Sequence, residues 1–220
     1  MKVFCIIPAF NEERTIGQVV ASVKPLVDEL IVVDDGSSDA TVEIAFKQGA
    51  KVLRHFLNRG QGASLETGNQ YALANGADIV VHFDADGQFV AEEIKDIIAP
   101  IARGEADVVL GSRFLGKKTN MPFLKKSIIM PTARLVNKAL LGLSLSDPQP
   151  GFRALSRSAL EKIKIKQDKM AHNSEILHKI SFYKLRLKEI PVTVIYTEFG
   201  QNFWGGIRIV KDILLAKLMD

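Results

Sequence analysis

Two carboxylates one residue apart, Asp84 and Asp86, follow the apolar run Ile79-Val80-Val81-His82-Phe83 and precede Gly87 and Gln88. The run has the β-rich character of a buried strand, and Gly87 supplies the break after it. Two acids at the end of a buried strand lose hydration and repel each other unless something positive sits between them. A hard divalent cation such as Mg2+ or Mn2+ answers both problems, and oxygens from Asp and Gln suit it. Protein alone rarely holds such an ion, and substrate phosphates usually complete its shell. A solvated Asp-Gly turn is the plainer reading of the same residues. The other polar strand ends decide between them.

A second acid pair, Asp34-Asp35, ends the apolar run 30–33 and opens Gly36-Ser37-Ser38-Asp39-Ala40-Thr41, while Arg113 follows the run 107–111. Two acid pairs and an arginine suit a nucleotide with a diphosphate. Carboxylates accept hydrogen bonds from base N–H groups and ribose hydroxyls, and a metal with arginine balances the phosphates. Neither common phosphate loop is present: there is no G-x-x-x-x-G-K-[ST], and no G-x-G-x-x-G after the first strand.

The elements that must position these groups are legible in the first half. Strands are expected near 3–7, 30–33, 51–54, 79–83 and 107–111. Pro8 stops the first strand, and Asn11-Glu12-Glu13 reads as a helix start, with Asn11 as cap and early acids on the positive helix end. Ile16, Val19, Val20 and Val23 form the buried stripe of that helix. Ser38 or Asp39 caps a second helix that runs to about Gln48, with Gly49 as its stop. The turn Asn58-Arg59-Gly60-Gln61-Gly62 leads into a third helix over 63–74, and Ile94, Ile97, Ile98 and Ile101 mark a fourth. The alternation βαβαβαβαβ predicts an α/β fold with a mostly parallel sheet covered on both faces. In such sheets ligands bind outside the carboxyl ends of the strands. Pro8-Ala9, Asp34-Asp35, Asp84-Ala85-Asp86 and Ser112-Arg113 all fall at those ends, which favours the metal reading over the turn.

The second half is less regular. Residues 117–145 read as one or two helices broken before Pro131, and 146–151 as a loop. Residues 152–155 return to the sheet, 174–183 form a helix, a strand pair is broken by Pro191, and 206–219 are amphipathic. Length fits one domain, 1–220, or one with a small appendage. Of the 220 residues, 47% are hydrophobic and 25% charged, the balance of a soluble enzyme. A single cysteine excludes an internal disulfide framework and a Cys-rich zinc site, and Cys5 lies in an apolar run that packs it as a core thiol. No apolar stretch reaches membrane-spanning length, and no signal peptide is legible, so the cytoplasm is the expected compartment. A net charge of +4 favours anionic partners. No aromatic-interleaved basic stripe points to nucleic acid.

The ordered series Ile6-Ile7-Pro8-Ala9-Phe10-Asn11-Glu12-Glu13, Val33-Asp34-Asp35-Gly36-Ser37-Ser38-Asp39-Ala40-Thr41, Asn58-Arg59-Gly60-Gln61-Gly62, Asp84-Ala85-Asp86-Gly87-Gln88, Gly111-Ser112-Arg113-Phe114 and Gly151-Phe152-Arg153 resembles the signature of family 2 glycosyltransferases. Within that family it is most similar to the dolichol-phosphate mannose synthase and polyprenyl-phosphate sugar synthase branch. The resemblance covers roughly residues 3–155. It implies a GT-A, Rossmann-like fold with an acceptor-side helical and β extension, a nucleotide-sugar-binding half over 1–115 and an acceptor-binding half over 116–220, a nucleotide-sugar donor, a divalent metal and inversion at the anomeric carbon.

Carried over by position, Pro8, Ala9, Asn11 and Glu12 line the nucleotide pocket, Asp35 lies near base or ribose, and Asp84 and Ala85 also touch the nucleotide. Asp86 and Gln88 hold Mg2+ or Mn2+ with the diphosphate, and Arg113 and Arg153 bind the donor diphosphate or an acceptor phosphate. Asp147 stands where the family places a general base, which transfer to a sugar hydroxyl needs. With a lipid phosphate as acceptor the base is dispensable, and Asp147 orients the acceptor or an arginine instead. The implied reaction moves a hexose from GDP-mannose or a UDP-sugar to polyprenyl or dolichyl phosphate. A sugar hydroxyl acceptor is the alternative, and nucleotidyl transfer a third reading. Glu175 is an acceptor-side candidate, Gln201 and Trp204 suit a loop over the donor, and His55, His82 and His178 read as structural. The transmembrane helices of membrane-bound members are missing, and 196–202 lacks their arginine-rich motif. Lys117, Lys118, Lys125 and Lys126, set among apolar residues, suit either peripheral contact at the inner face of the cell membrane or a homodimer surface.

Overall fold

The computed structural model describes residues 1–115, 143, 145–147, 150–169 and 171–195. The expectations for the lysines at 117–126, for 196–202, for Gln201 and Trp204 and for the amphipathic segment 206–219 lie outside the described residues. Among the described residues seven strands form one sheet: β1 (Val3–Ala9), β2 (Glu29–Asp34), β3 (Lys51–Arg54), β4 (Ile79–His82), β5 (Val108–Ser112), β6 (Arg153–Ser156) and β7 (Leu187–Pro191). Their order is β3-β2-β1-β4-β6-β5-β7. β6 runs antiparallel to both neighbours, and every other described pairing is parallel. The expected return of 152–155 to the sheet is therefore an insertion between β4 and β5. Its register sets Arg153 opposite His82 on one side and Leu110 on the other.

Six α-helices cover the sheet among the described residues: α1 (Ile16–Val23), α2 (Thr41–Lys47), α3 (Gln61–Ala74), α4 (Ile94–Ala102), α5 (Arg157–Lys162) and α6 (His172–Phe182). The strands alternate between two cores, as a pleated strand must. Cys5 and Ile7 of β1 pack with Ile16, Val19, Val20, Val23 and Ile94 of α1 and α4. Phe4 and Ile6 pack with Leu65, Leu160, Ile176 and Ile180 of α3, α5 and α6. Burial pushes the Cys5 thiol well up from its ordinary value, which makes it the inert core group expected.

The helix starts needed correction. α1 begins at Ile16, and Asn11 does not cap it. Asn11 sits at φ +55°, a left-handed conformation that Asn tolerates, and its side chain accepts the Ser38 N–H at 3.0 Å. Its capping chemistry ties β1 to the β2 loop instead. Asp39 does act at the start of α2, where Oδ1 accepts the Thr41 N–H at 3.0 Å. α3 starts at Gln61 and α6 at His172, each two residues before expectation. Of the strand pair around Pro191, one strand is described, followed by a bridge between Val194 and Phe89.

α3 lies close on β1 because Gly68 faces it: a Cβ there would stand 2.5 Å from Ile6 Cγ2, inside a fully buried core. Alanine gains about 1 kcal/mol of helix propensity, but overpacking a closed core costs about 1–3 kcal/mol. Gly68→Ala is therefore expected to lower unfolding stability by up to about 2 kcal/mol in urea titration. A variant more stable than the parent would contradict this packing.

Candidate active site

The strand directions bring the polar ends together. β1, β2, β3, β4 and β5 all end at one edge of the sheet, and antiparallel β6 enters from that same edge. Pro8, Ala9, Asn11, Glu12, Asp35, Asp84, Asp86, Arg113 and Arg153 therefore share one rim. Ala9 and Ala85 are buried in the apolar core, so what they present to a ligand is backbone.

On the β2 side the two acids divide their work. Asp34 is fully buried, accepts the Ser37 N–H with both oxygens at 3.2 Å and meets Arg54 Nε at 3.1 Å. Asp35 holds the turn before α3. Its Oδ1 accepts the Arg59 N–H at 2.9 Å and lies 2.8 Å from His55 Nδ1, and its Oδ2 accepts the Gly60 N–H at 2.6 Å. His55 Nε2 reaches Thr67 Oγ1 at 2.9 Å, so His55 is the structural group expected. Two carboxylate oxygens offer about four acceptor positions, so three hydrogen bonds leave Asp35 capacity for one donor from a ligand.

At the end of β4 the negative charge is only partly compensated. Asp84 has its carboxyl pushed up to about 6, first by burial and then by the charge of Asp86. Arg153, Arg113 and a 3.0 Å hydrogen bond from Gln61 Nε2 oppose the shift without cancelling it. Asp86 is also raised by burial, against a hydrogen bond that Gln88 N–H donates to its Oδ1 at 3.0 Å. Glu12 is raised by burial, with Asp86 and Asp39 adding to it and the 2.9 Å hydrogen bond from Thr15 opposing. Gly87 makes the turn at φ +72°. Gly151 leaves room for the Asp84 carboxylate, since a Cβ there would stand 2.6 Å from Oδ2.

This donor set fits a divalent cation in one respect and needs help in another. Three acids share a region whose burial favours neutralisation, and their oxygens are hard ligands. Among the described residues, however, no group of three or more His, Cys, Asp and Glu side chains could hold a metal unaided. A cation here would need further oxygens, which water, Gln88 or a substrate phosphate can supply.

The two arginines stand at different depths. Arg153 is 2% exposed, its Nη2 donates to Asn173 Oδ1 at 2.7 Å, and burial lowers it to about 10 against the pull of Asp84. It sits in a polar layer with His82 and His172. Both imidazoles are held neutral, first by burial and then by the nearby guanidinium; His172 is lowered to about 4. His82 Nε2 bonds Asn69 Oδ1 at 2.8 Å, which makes it structural as expected. From this depth Arg153 supports Asp84 electrostatically.

Arg113 lies higher and forks onto Asp147: Nε to Oδ2 at 2.7 Å and Nη2 to Oδ1 at 2.8 Å. Side-chain exposure is 18% for Arg113 and 1% for Asp147. Glu189 of β7 holds the Asp147 loop, accepting the Ser146 N–H at 2.9 Å, the Ser146 hydroxyl at 2.8 Å and the Asp147 N–H at 3.2 Å. Glu189, Gln61 and Asn173 escaped sequence reasoning. Gln61 stood inside a quoted turn, but nothing local marks Glu189, whose partners lie 42 and 43 residues away. Glu175 accepts the N–H groups of Lys166 and Gln167 at 2.9–3.0 Å and pairs with Lys179, so its carboxylate fastens a neighbouring segment.

The raised Asp84 has a measurable consequence. The folded protein keeps the Asp84 proton up to about pH 6, whereas the unfolded chain releases it near 3.8. Folding therefore takes up a proton between those values, and metal-free stability falls as pH rises through that window. Asp84→Asn removes the charge and keeps an acceptor for Gln61. It is expected to exceed the parent in stability by about 1–3 kcal/mol at pH 7, with the advantage gone by about pH 4. Denaturant titrations across pH check this, and a pH-independent difference would contradict it.

The chain matches Glycosyl transferase family 2 over residues 4–164. It is 36% identical to an uncharacterized protein of Methanocaldococcus jannaschii, over 99% of this chain and 93% of that protein. It is 34% identical to the UDP-N-acetylglucosamine–dolichyl-phosphate N-acetylglucosaminyltransferase of Methanococcus voltae, over 98% of this chain and 96% of that protein. Among solved structures it is similar to glucosyl-3-phosphoglycerate synthase of Mycobacterium tuberculosis, determined with Mn2+, UDP-glucose and phosphoglyceric acid. That likeness has a TM-score of 0.71 and 25% identity, and covers 97% of this chain and 78% of that one. The mixed sheet with its inserted antiparallel strand is thus a GT-A, Rossmann-like arrangement, and its catalytic class is glycosyl transfer. The chain belongs to glycosyltransferase family 2.

Proposed function

We propose that the protein transfers a hexose from a nucleoside diphosphate sugar, UDP- or GDP-linked, to the phosphate of polyprenyl or dolichyl phosphate. The observation that carries this reading is the Arg113–Asp147 fork. A carboxylate bound through both oxygens to a guanidinium is a poor proton acceptor. A hydroxyl acceptor needs a base to take its proton, while a phosphate acceptor is already an anion. Support also comes from the Methanococcus voltae relative, whose name pairs a UDP-sugar with dolichyl phosphate.

In this account an acceptor phosphate oxygen attacks the anomeric carbon from the face opposite the leaving group. The new C–O bond forms as the bond to the diphosphate breaks, and the electron pair departs with the nucleoside diphosphate. The anomeric configuration inverts, and no side chain removes a proton. Pro8, Ala9, Asn11, Glu12 and Asp35 seat the nucleotide, with Asp84 and Ala85 beside it. Asp86 and Gln88 hold Mg2+ or Mn2+ together with the donor diphosphate. When bound, that cation supplies Lewis-acid stabilisation of the charge that develops on the leaving group. Arg113 orients phosphate, Asp147 and Glu189 hold Arg113, and Arg153 works through Asp84. Residues 1–115 serve the donor and 116–220 the acceptor.

Incubation with UDP-N-acetylglucosamine, UDP-glucose and GDP-mannose, with Mn2+ and with or without polyprenyl phosphate, tests the reading. Nucleoside diphosphate and a sugar-phospholipid should appear only when the lipid phosphate is present. Asp147→Asn should keep activity on that acceptor within about tenfold, because it is spared the 10²–10⁴-fold loss that removing a general base brings. Transfer to a sugar hydroxyl alone, abolished by Asp147→Asn, would overturn the reading.

A further inference from the structure

The edge of the sheet that carries Asp84 and Asp86 also carries a surface that the transfer chemistry does not use. Phe56 and Leu57, in the connection between β3 and α3, are 97% and 69% exposed. Leaving a Phe-Leu pair in water forgoes the burial that such side chains ordinarily gain, and exposed apolar patches commonly mark contact sites. The loop is built to hold them outward. Asp35 takes the N–H groups of Arg59 and Gly60, and His55 is wedged between Asp35 and Thr67. A Cβ on Gly36 would stand 3.2 Å from the Leu57 carbonyl carbon.

Beside this tip runs a basic strap. Ile163 and Ile165 are buried in the core, while Lys164, Lys166 and Lys169 are exposed. The strap touches the loop directly: Ala63 N–H donates to Asp168 O at 3.2 Å, and a Cβ on Gly60 would stand 3.1 Å from Lys169 Cγ. Phe56 lies four residue steps from Gly60, a reach of at most about 14 Å. Arg59 and Asp168 face each other at 3.6 Å and offset one another. Lys164, Lys166 and Lys169 join no ion pair among the described residues, so the strap keeps three positive charges. Apolar side chains beside ammonium groups on flexible stems match an anionic bilayer, which accepts the first below its headgroups and attracts the second.

We propose that the Phe56-Leu57 tip and Lys164, Lys166 and Lys169 form a docking surface for an anionic lipid bilayer. The choice of a bilayer as occupant rests on the proposed lipid acceptor, since β3 ends on the rim that holds Asp84 and Asp86. Docking there brings the site to the lipid and leaves no role for these five side chains in the transfer itself.

The test is sedimentation of the full chain with vesicles of phosphatidylcholine alone or with one-third phosphatidylglycerol, for the parent, Phe56→Ser/Leu57→Ser and Lys164→Gln/Lys166→Gln/Lys169→Gln. The parent should pellet with the anionic vesicles, and each variant should lose at least about tenfold in partitioning. High salt should weaken the parent and the Phe/Leu variant and leave the lysine variant unchanged. A parent that stays in the supernatant, or folded variants that pellet like it, overturns the proposal. So does a parent dimer that the Phe/Leu variant dissociates while vesicle binding persists, since the tip would then be a contact between copies. Transfer to a short-chain polyprenyl phosphate in detergent, run in parallel, separates the two readings. Variants that lose vesicle binding yet match the parent in detergent support both. No transfer by any of the proteins, with vesicle binding lost in the variants, removes the acceptor reading and leaves the docking surface standing.

Discussion

Buried, only partly compensated negative charge at the end of β4 is the constraint on which the site depends. Asp84 and Asp86 follow a fully buried strand, and Glu12 adds a third acid from the loop after β1. The buried guanidinium of Arg153, held in place by Asn173, offsets part of that charge, and burial together with this guanidinium keeps two nearby histidines neutral. Burial, and then the charge of Asp86, outweigh Arg153, and Asp84 stays raised to about 6. The protein thus tolerates a local instability that a cation with a diphosphate would relieve, a trade common where binding function outweighs stability.

The rest of the molecule frames this charge. α3 closes on β1 through Gly68, and its first residue, Gln61, reaches Asp84. Asp35 fixes the turn ahead of α3, so an acid at the end of β2 governs where a residue from α3 meets an acid at the end of β4. On the opposite side β6 enters antiparallel, which delivers Gly151 against Asp84 and Arg153 beneath it in three consecutive residues. Glu189 then anchors the loop through which Asp147 grips Arg113. The rim is tied together through hydrogen bonds spanning 23 to 43 residues of sequence, and the Arg113–Asp147 pair links residues before 115 with residues after it.

Much of this was legible in the sequence where the signal is local. Apolar runs ending in acids gave the strands and their polar ends, and the stripe Ile16, Val19, Val20 and Val23 gave the buried face of α1. Asn11 misled because a good capping residue is also a good left-handed residue, and a partner across the β2 loop claimed its side chain. The direction of β6 was not legible, since a short apolar segment reads the same both ways. The depth of Arg153 depends on that direction, and so its part as a support for Asp84 was out of reach. Glu189 carries no motif, and only the folded register sets it beside Ser146 and Asp147.

The central claim is that the charge of Asp84 and Asp86 is completed by a divalent cation together with a nucleoside diphosphate. Thermal unfolding with UDP or GDP, in the presence of Mn2+ or of excess chelator, tests it most directly. The account predicts that one of these nucleotides raises the melting temperature with Mn2+ present and does nothing in chelator, and that Asp86→Ala abolishes the gain. Equal stabilisation in chelator, or full stabilisation of Asp86→Ala, would contradict it.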